Sequence, residues 1–219
     1  MFTRTKFFNK NQFGVCIIAS MLLASSCNAQ SRSVPLSPPP DKAIAVFAEG
    51  CFWCSELMYG AVPGVDSVVS GYAGGHTKNP SYGDVTRETT GHAECVMVYY
   101  NPKIVSYNQL LKVFFASVDP TQVNREGNDI GTSYRSILFY KNADEEREAK
   151  AAIAAESKNY SKPIATQVKP LKAFYRAEEY HQNYIAHHPG DSYVINVSIP
   201  RYKAFRAKYK GNLRAKSTF

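Results

Sequence analysis

Short apolar runs alternate with stretches of helical periodicity along most of this chain, and their order restricts the folds that it can form. Apolar runs bounded by turn residues predict strands over 43–48, 65–72, 93–100, 134–140 and 164–168. Apolar residues at helical spacing predict helices over 51–59, 107–118, 144–158 and 177–186. The leading segments follow the order βαββαβα with short connections. This order predicts a single α/β (α+β) domain over residues 42–212, in which helices pack on a mixed sheet.

The composition is that of an ordinary globular protein, because 44% of the 219 residues are hydrophobic and 13% are aromatic. No run of about 18 apolar residues occurs in the body of the chain, which argues against an integral membrane protein. The formal net charge is +8, a moderate basic excess that does not by itself indicate nucleic-acid binding. We expect a monomer that does not bind nucleic acid.

Residues 1–29 have the three parts of a secretory signal peptide, namely a basic leader, an apolar run over 13–24 and small residues before Gln30. The run is short for a bilayer span, so a membrane-anchor helix is the less favoured alternative. Cleavage could follow a loose lipobox before Cys27, which would then be lipidated, or occur at an ordinary signal-peptidase site after Ala29. We expect export to the periplasm or cell envelope, with membrane attachment only if Cys27 carries lipid. Residues 30–41, rich in proline and serine, are expected to form a linker.

Beyond the signal, the sequence has three cysteines, Cys51, Cys54 and Cys95. An odd number fits a redox-active pair plus one further thiol better than a disulfide scaffold. Cys51 lies where the first strand ends and the first helix begins, a position at which the helix dipole is expected to lower the thiol pKa. The Cys-x-x-Cys spacing also fits half of a zinc site, but no second ligand pair follows, so we expect no metal.

The segment Gly50-Cys51-Phe52-Trp53-Cys54 resembles the signature of the peptide methionine sulfoxide reductases, A class. The resemblance extends over roughly residues 43–210. Further motifs in family order are Ser70–Gly75, Asn79–Tyr82, Gly91–Glu94, Asp119–Thr121, Gly127–Gly131, Tyr134–Ser136 and Glu179–Gln182. The resemblance implies a ferredoxin-like two-layer sandwich and a repair enzyme that reduces methionine S-sulfoxide, free or in oxidised proteins. It implies no metal or organic cofactor, because the electrons come from a thioredoxin-like dithiol.

The resemblance also assigns roles to the nucleophile and to the wall of its pocket. Cys51 matches the catalytic cysteine that attacks the sulfoxide sulfur and becomes a sulfenic acid. Phe52 and Trp53 match the substrate-binding wall that holds the S-methyl group.

The remaining catalytic residues implied by the resemblance act on the sulfoxide oxygen. Glu94 matches the acid, Tyr82 and Tyr134 match the phenols that share the oxygen, and Asp129 matches a polar residue that holds the site's water. The residues themselves support the role of Glu94, because period-two alternation places it on one strand face with Val96 and Val98. Apolar neighbours should raise the pKa of this carboxyl and keep it protonated near neutral pH.

The chain departs from the family pattern in its second cysteine. Many members have glycine where Cys54 stands and carry recycling cysteines in a C-terminal tail, whereas this sequence has no cysteine after Cys95. We expect Cys54 to resolve the sulfenic acid, since it lies one helical turn from Cys51 and alternation turns Cys95 to the opposite sheet face. Resolution by Cys95 and direct reduction by an external thiol are the alternatives. Glutamate at position 126, where the family commonly has glutamine, changes the polarity of its loop.

The C-terminal region is basic, with Tyr202, Phe205 and Tyr209 at helical spacing, and is expected to dock as an amphipathic helix before a basic tail over 213–219.

Two other functions compete with the family assignment. A thioredoxin-like disulfide oxidoreductase would use the same Cys-x-x-Cys pair but would leave the motif around Glu94 unexplained. A binding module for oxidised methionine would give no multiple turnover with excess dithiol.

Overall fold

The computed structural model describes Met1 and residues 31–215. The expected signal peptide over 1–29 and the last residues of the basic tail therefore lie outside the described residues. In the part of the chain that the structure describes, no helix is long and apolar enough to cross a membrane.

The main sheet has seven strands in the order β1-β9-β3-β4-β2-β7-β8. Only β7 and β8 run parallel to each other; the remaining neighbours in this sheet pair antiparallel. The prediction of a mixed sheet is thus confirmed. The strands are β1 (Arg32–Ser33), β2 (Ala43–Glu49), β3 (Val65–Ala73), β4 (Ala93–Tyr100), β7 (Ser136–Tyr140), β8 (Gln167–Pro170) and β9 (Phe174–Arg176), and a separate hairpin joins β5 (Arg125–Glu126) to β6 (Asp129–Ile130).

Helices cover one face of the sheet, which gives the expected two-layer arrangement. They are α1 (Phe52–Gly60), α2 (Tyr82–Thr86), α3 (Tyr107–Ser117), α4 (Ala143–Glu156), α5 (Tyr184–His187) and α6 (Ile199–Lys208). The larger core lies between this helical layer and the sheet and includes Met58, Leu110 and Phe114. The opposite face buries Ile44, Met97 and other side chains that come from strands.

The linker predicted over 30–41 is wrong for its first half. Arg32 and Ser33 pair with Arg176 and Tyr175 as an edge strand. Val34 and Leu36 then pack against the core on the helix-free face of the sheet. These apolar residues alternate with polar ones, so a segment with several prolines still contributes a strand and two contacts to the core.

The helix predicted over 177–186 is also wrong, because side chains there bond to backbone groups elsewhere. A 3₁₀ turn (Glu179–His181) and the short helix α5 stand in its place. The Gln182 side-chain amide bonds to both backbone groups of Ser70, and Asn183 has a left-handed φ of 52°. Such bonds offer the backbone an alternative to helix. In the same way, the strand predicted from Tyr134 begins at Ser136, because Thr132–Tyr134 forms a 3₁₀ turn.

The predicted docking face of the C-terminal helix is confirmed, since Tyr202 and Phe205 are buried and Tyr209 stacks on Phe205. The helix ends at Lys208. Residue 214, predicted to lie in the basic tail, contacts the C-terminal end of helix α1 instead, because its guanidinium donates to the carbonyl of Gly60.

Candidate active site

Gly50 makes the sharp turn that brings Cys51 from strand β2 to the start of helix α1. Its φ of 86° lies in the left-handed region, and a Cβ there would come within 2.5 Å of the Glu126 side chain. Glycine is therefore required on both conformational and steric grounds. Cys51 is the N-cap of the helix, and only 5% of its surface is exposed.

Cys51 lies at the wall of a cavity of about 350 Å³ that brings together the residues singled out in the sequence. They come from separate elements: the start of α1, the start of α2, strands β4 and β6 and the 3₁₀ turn before β7. The residues that line this cavity are Cys51, Phe52, Trp53, Tyr82, Glu94, Asp129 and Tyr134, together with Tyr184, Asp191 and Tyr193. Of the eight residues named from the sequence, only Cys54 lies behind this wall, fully buried.

An aromatic cluster forms the apolar side of the cavity. Phe52 is buried against Tyr72 and His181, with ring centroids 5.8 and 5.0 Å apart respectively. Trp53 stacks on Tyr184 at 3.7 Å, and its indole N–H donates to Nδ1 of His181 at 3.2 Å. Burial lowers the pKa of His181 to about 4, so the neutral imidazole can accept this bond. The histidine thus fixes the orientation of the indole.

Glu94 is a buried carboxyl at the polar side of the cavity, with 2% of its surface exposed. Its Oε2 accepts a hydrogen bond of 3.1 Å from the backbone N–H of Phe52. Burial raises the pKa of Glu94 to about 8, so the carboxyl holds its proton at neutral pH, as the alternation of β4 predicts.

Tyr82 and Tyr134 face the same carboxyl and also hold their protons. Burial raises the pKa of Tyr82 to about 12 and that of Tyr134 still further, and the charge on Glu94, when it ionises, acts in the same direction. Tyr82 is held by its backbone N–H, which donates to Oε1 of Glu178 at 2.7 Å. Both phenols are therefore hydrogen-bond donors available to an oxygen in the cavity.

Tyr193 is a site residue that the sequence did not reveal. Its hydroxyl donates to Oδ2 of Asp129 at 2.7 Å and also lies within hydrogen-bonding reach of the Cys51 sulfur. The carboxylate of Asp191 orients the segment by accepting the backbone N–H of Tyr193 at 2.8 Å. The sequence carried one signal for it, the pattern Asp-x-Tyr at 191–193, which has the form of an Asx turn.

The two thiols of the Cys-x-x-Cys segment are free, buried and joined by a hydrogen bond. Burial raises the pKa of the Cys51 thiol well above its usual range, so the predicted lowering by the helix dipole is wrong. The first N–H group of the helix, that of Phe52, donates to Glu94 and not to sulfur, so it does not stabilise a thiolate on Cys51. The pKa of Cys54 is instead lowered to about 7, first by the hydrogen bond from Cys51 and then, against burial, by the charge of Arg201. Near neutral pH the pair therefore begins to lose a proton, and the negative charge that forms lies on Cys54.

Cys95 lies on the other face of the sheet. Its thiol donates to the carbonyl of Gly71 at 3.5 Å and packs in the strand-lined core with Met97. The alternation that placed it away from Cys51 is confirmed.

A model of the peptide methionine sulfoxide reductase family matches residues 43–213. The chain belongs to this family. It is 46% identical to the peptide methionine sulfoxide reductase MsrA of Leptospira borgpetersenii over 173 residues, which are 77% of this chain and 98% of that relative. It is 44% identical to the MsrA of Saccharolobus solfataricus over 162 residues, 74% of this chain and 92% of the relative.

Solved structures agree with this membership. Reduced Mxr1 from Saccharomyces cerevisiae superposes with a TM-score of 0.67 at 34% identity, covering 71% of this chain and 91% of Mxr1. Methionine sulfoxide reductase A of Corynebacterium diphtheriae also gives 0.67, at 31% identity, covering 69% of this chain and 77% of that protein.

Membership of the peptide methionine sulfoxide reductase family confirms the predicted enzyme class, a thiol-dependent oxidoreductase, and the α/β fold. A thioredoxin-like disulfide oxidoreductase is not favoured. Within residues 31–215, no three histidine, cysteine or acidic side chains converge as metal ligands do. The expected absence of a metal and the monomeric state both stay predictions.

Proposed function

We propose that this member of the peptide methionine sulfoxide reductase family reduces the S epimer of methionine sulfoxide, free or in oxidised proteins, at Cys51. The observation that carries the proposal is the arrangement around Cys51, in which an aromatic wall, a protonated carboxyl and two phenols share one cavity. The wall accepts the methyl group of the substrate. The carboxyl and phenols opposite it donate hydrogen bonds to the sulfoxide oxygen. Only one configuration at the chiral sulfur places the methyl group on the wall and the oxygen at the donors, because inversion exchanges the positions of these two groups.

In the first step the Cys51 sulfur attacks the sulfoxide sulfur, and Glu94 gives its proton to the sulfoxide oxygen. As Cys51 attacks, the proton of its thiol passes to the Cys54 thiolate through the hydrogen bond that joins the two sulfurs. As the oxygen passes to Cys51, the S–O bond of the substrate breaks, methionine leaves and Cys51 becomes a sulfenic acid. Tyr82 and Tyr134 stabilise the charge that develops on the oxygen, because preorganised donors cost no reorganisation in the transition state.

In the second step Cys54 condenses with the sulfenic acid and forms a Cys51–Cys54 disulfide. The family membership and the buried pair support a thioredoxin-like protein as the reductant of this disulfide. Of the two sulfurs only Cys51 borders the cavity, so an incoming thiolate reaches Cys51 and releases Cys54. The electrons come from thiols, and no prosthetic group takes part.

The place of this reaction is the periplasm or cell envelope. Residues 1–29 support this part of the proposal, through their basic leader, apolar run and small residues. Lipid on Cys27 would hold the domain at the membrane, and cleavage after Ala29 would release it. The mass of the mature chain from the envelope fraction separates the two forms and would contradict both if residues 1–29 were still present.

The test of the proposed function is the yield of methionine from each epimer. The chain is incubated with methionine S-sulfoxide or R-sulfoxide and excess dithiothreitol, and methionine is measured over many turnovers, with Cys51→Ser as the control. We expect repeated turnover of the S epimer alone. Comparable turnover of both epimers would contradict the stereochemical assignment, and a yield below one methionine per chain would indicate a binding module.

A further inference from the structure

The surroundings of Cys54 contain a partly buried arginine that the first step does not use. Helix α6 and the π-helical turn before it (Val194–Ser198) pack over the start of helix α1. The Cys54 thiol donates a hydrogen bond of 3.4 Å to the Ser198 hydroxyl. Arg201 follows Ser198 by three residues, about one helical turn, and so lies on the same face of this helix.

The guanidinium of Arg201 is held by backbone carbonyls on both sides of the site. Its Nη2 donates to the carbonyl of Glu49 at 3.2 Å and to that of Ser117 at 3.4 Å. Its Nη1 is buried, has no hydrogen-bond partner among the residues that the structure describes, and lies 3.6 Å from where a Cβ of Gly50 would be. This nitrogen therefore sits beneath the turn that leads to Cys51 and Cys54.

Three acids lie near Arg201 or Cys54. Glu126 forms an ion pair of 3.6 Å with Nη2 of Arg201, and burial raises the pKa of this carboxyl. Burial raises the pKa of Glu49 to about 8, so Glu49 is neutral at neutral pH. Asp129 opposes ionisation of Cys54 from the cavity side. The strongest attraction on Arg201 comes from Cys54, ahead of Glu126, Cys51 and Glu49.

We propose that Arg201 is a positioning residue for recycling, whose positive charge favours the Cys54 thiolate that attacks the Cys51 sulfenic acid. The inference rests on the proposed function. In the resting pair a hydrogen bond from Cys51 also stabilises the Cys54 thiolate. Oxidation of Cys51 removes that thiol, so Arg201 and the Ser198 hydroxyl are then the groups that stabilise negative charge on Cys54.

The resolving step balances with the protons already in the site. After the first step Glu94 is ionised and the remaining proton is on Cys54. Arg201 favours the transfer of this proton back to Glu94, because it stabilises the thiolate that results. The Cys54 sulfur then attacks the Cys51 sulfur, an S–S bond forms and the S–O bond of Cys51 breaks. The hydroxide leaves as water with the proton of Glu94. The Cys54 sulfur is oxidised and the Cys51 sulfur is reduced.

The expected size of the effect follows from the thiolate fraction. Without Arg201, burial raises the pKa of Cys54 against less opposition, which lowers the thiolate fraction at pH 7. A more basic thiolate is a better nucleophile, which recovers part of the loss. Disulfide formation at pH 7 should therefore slow by roughly three- to twentyfold in Arg201→Gln, and the loss should shrink as the pH rises to 9.

The experiment is a single turnover of the full chain with one equivalent of methionine S-sulfoxide, without reductant, at pH values from 6 to 9. Methionine, dimedone-trapped sulfenic acid and disulfide are measured against time in the original chain, Arg201→Gln, Arg201→Lys and the control Lys203→Gln. Lys203 is an exposed cation on the same helix, so its loss removes an equal charge far from the thiols. We expect one methionine per chain throughout, accumulation of sulfenic acid in Arg201→Gln at pH 7 and its disappearance at pH 9. Arg201→Lys should lie between.

Equal rates of disulfide formation in Arg201→Gln and Lys203→Gln at pH 7 would overturn the inference. So would a slow rate in Arg201→Gln that does not recover at pH 9, since that indicates a packing role. Failure of the original chain to release methionine would instead reject the proposed function. A second measurement isolates Cys54 in Cys51→Ser, where the ultraviolet absorbance of the thiolate is followed with pH. Adding Arg201→Gln or Arg201→Lys should raise the pKa of the Cys54 thiol, and the rise should be larger for Arg201→Gln. An unchanged pKa in both variants would overturn the inference.

Discussion

The backbone N–H of Phe52 donates a hydrogen bond of 3.1 Å to Oε2 of Glu94. This bond joins the first residue of helix α1 to the second residue of strand β4. Cys51 immediately precedes Phe52, so the same bond fixes the acid relative to the nucleophile. The site therefore depends on how one helix start docks on one strand, and neither element alone would hold the acid in place.

Replacing Glu94 by glutamine should leave substrate binding but slow sulfenic acid formation by roughly a hundredfold or more, the usual contribution of a general acid. Glutamine can still accept the bond from Phe52 and donate one to the sulfoxide oxygen, but it cannot transfer a proton. The rate of methionine release in a single turnover measures the effect. In the original chain this rate should also fall above about pH 8, where Glu94 loses its proton, and the variant should lack that decline. A single-turnover rate unchanged by the substitution would remove Glu94 from the mechanism.

The same substitution should raise the free energy of unfolding near neutral pH. The pKa of Glu94 in the folded chain is about 8, above its value in the unfolded chain. At pH 7 the unfolded state therefore releases a proton that the folded state keeps, which costs about 3 kcal/mol of stability. The cost is absent below pH 4, where both states are protonated, grows up to pH 8 and is constant above it. Denaturant unfolding of both chains at pH 4 and pH 7 measures it, and an equal difference at the two pH values would contradict this origin.

Sequence patterns predicted the residues whose environment is set locally. Cys51 follows a strand and starts a helix, and Glu94 shares a strand face with Val96 and Val98, so their places follow from period and order alone. The pKa of Cys51 could not be predicted in this way. The helix dipole is visible in the sequence, whereas burial and the donation of the helix N–H to Glu94 arise only when distant segments meet.

Tyr193 and Arg201 were missed for a related reason. Both follow a segment, 177–191, whose course is set by side-chain bonds to distant backbone, including those of Gln182 to Ser70. Such bonds leave no periodic signal, so the residue pattern predicts a helix where the chain instead folds back over the site. The acid at position 126 was noticed only as a departure from the family. In the structure, the carboxylate of Glu126 lies 3.6 Å from the guanidinium of Arg201 and pairs with it.

Replacing Tyr193 by phenylalanine should slow the first step by about tenfold, because it removes the hydroxyl that lies within hydrogen-bonding reach of the reacting sulfur while keeping the ring. The ring packs edge-on to Trp53, with centroids 5.8 Å apart, so the aromatic wall should survive. Single-turnover methionine release measures the rate. Tyr180→Phe, which removes an exposed hydroxyl outside the cavity, is the matched control. Equal rates in the two variants would show that the Tyr193 hydroxyl has no part in the chemistry.

Replacing Cys54 by serine should stop turnover driven by thioredoxin after one methionine per chain. The attack on the sulfoxide uses Cys51, the aromatic wall and Glu94, so a burst of one equivalent remains. Among residues 31–215 the sulfenic acid then has no thiol within reach, because Cys95 packs on the opposite face of the sheet. A dimedone-type probe should therefore label Cys51, whereas Cys95→Ser should cycle as the original chain does. Small dithiols can still attack the sulfenic acid directly and restore slow turnover. Normal cycling of Cys54→Ser with failure of Cys95→Ser would make Cys95 the resolving cysteine, and normal cycling of both would indicate direct reduction by the external thiol.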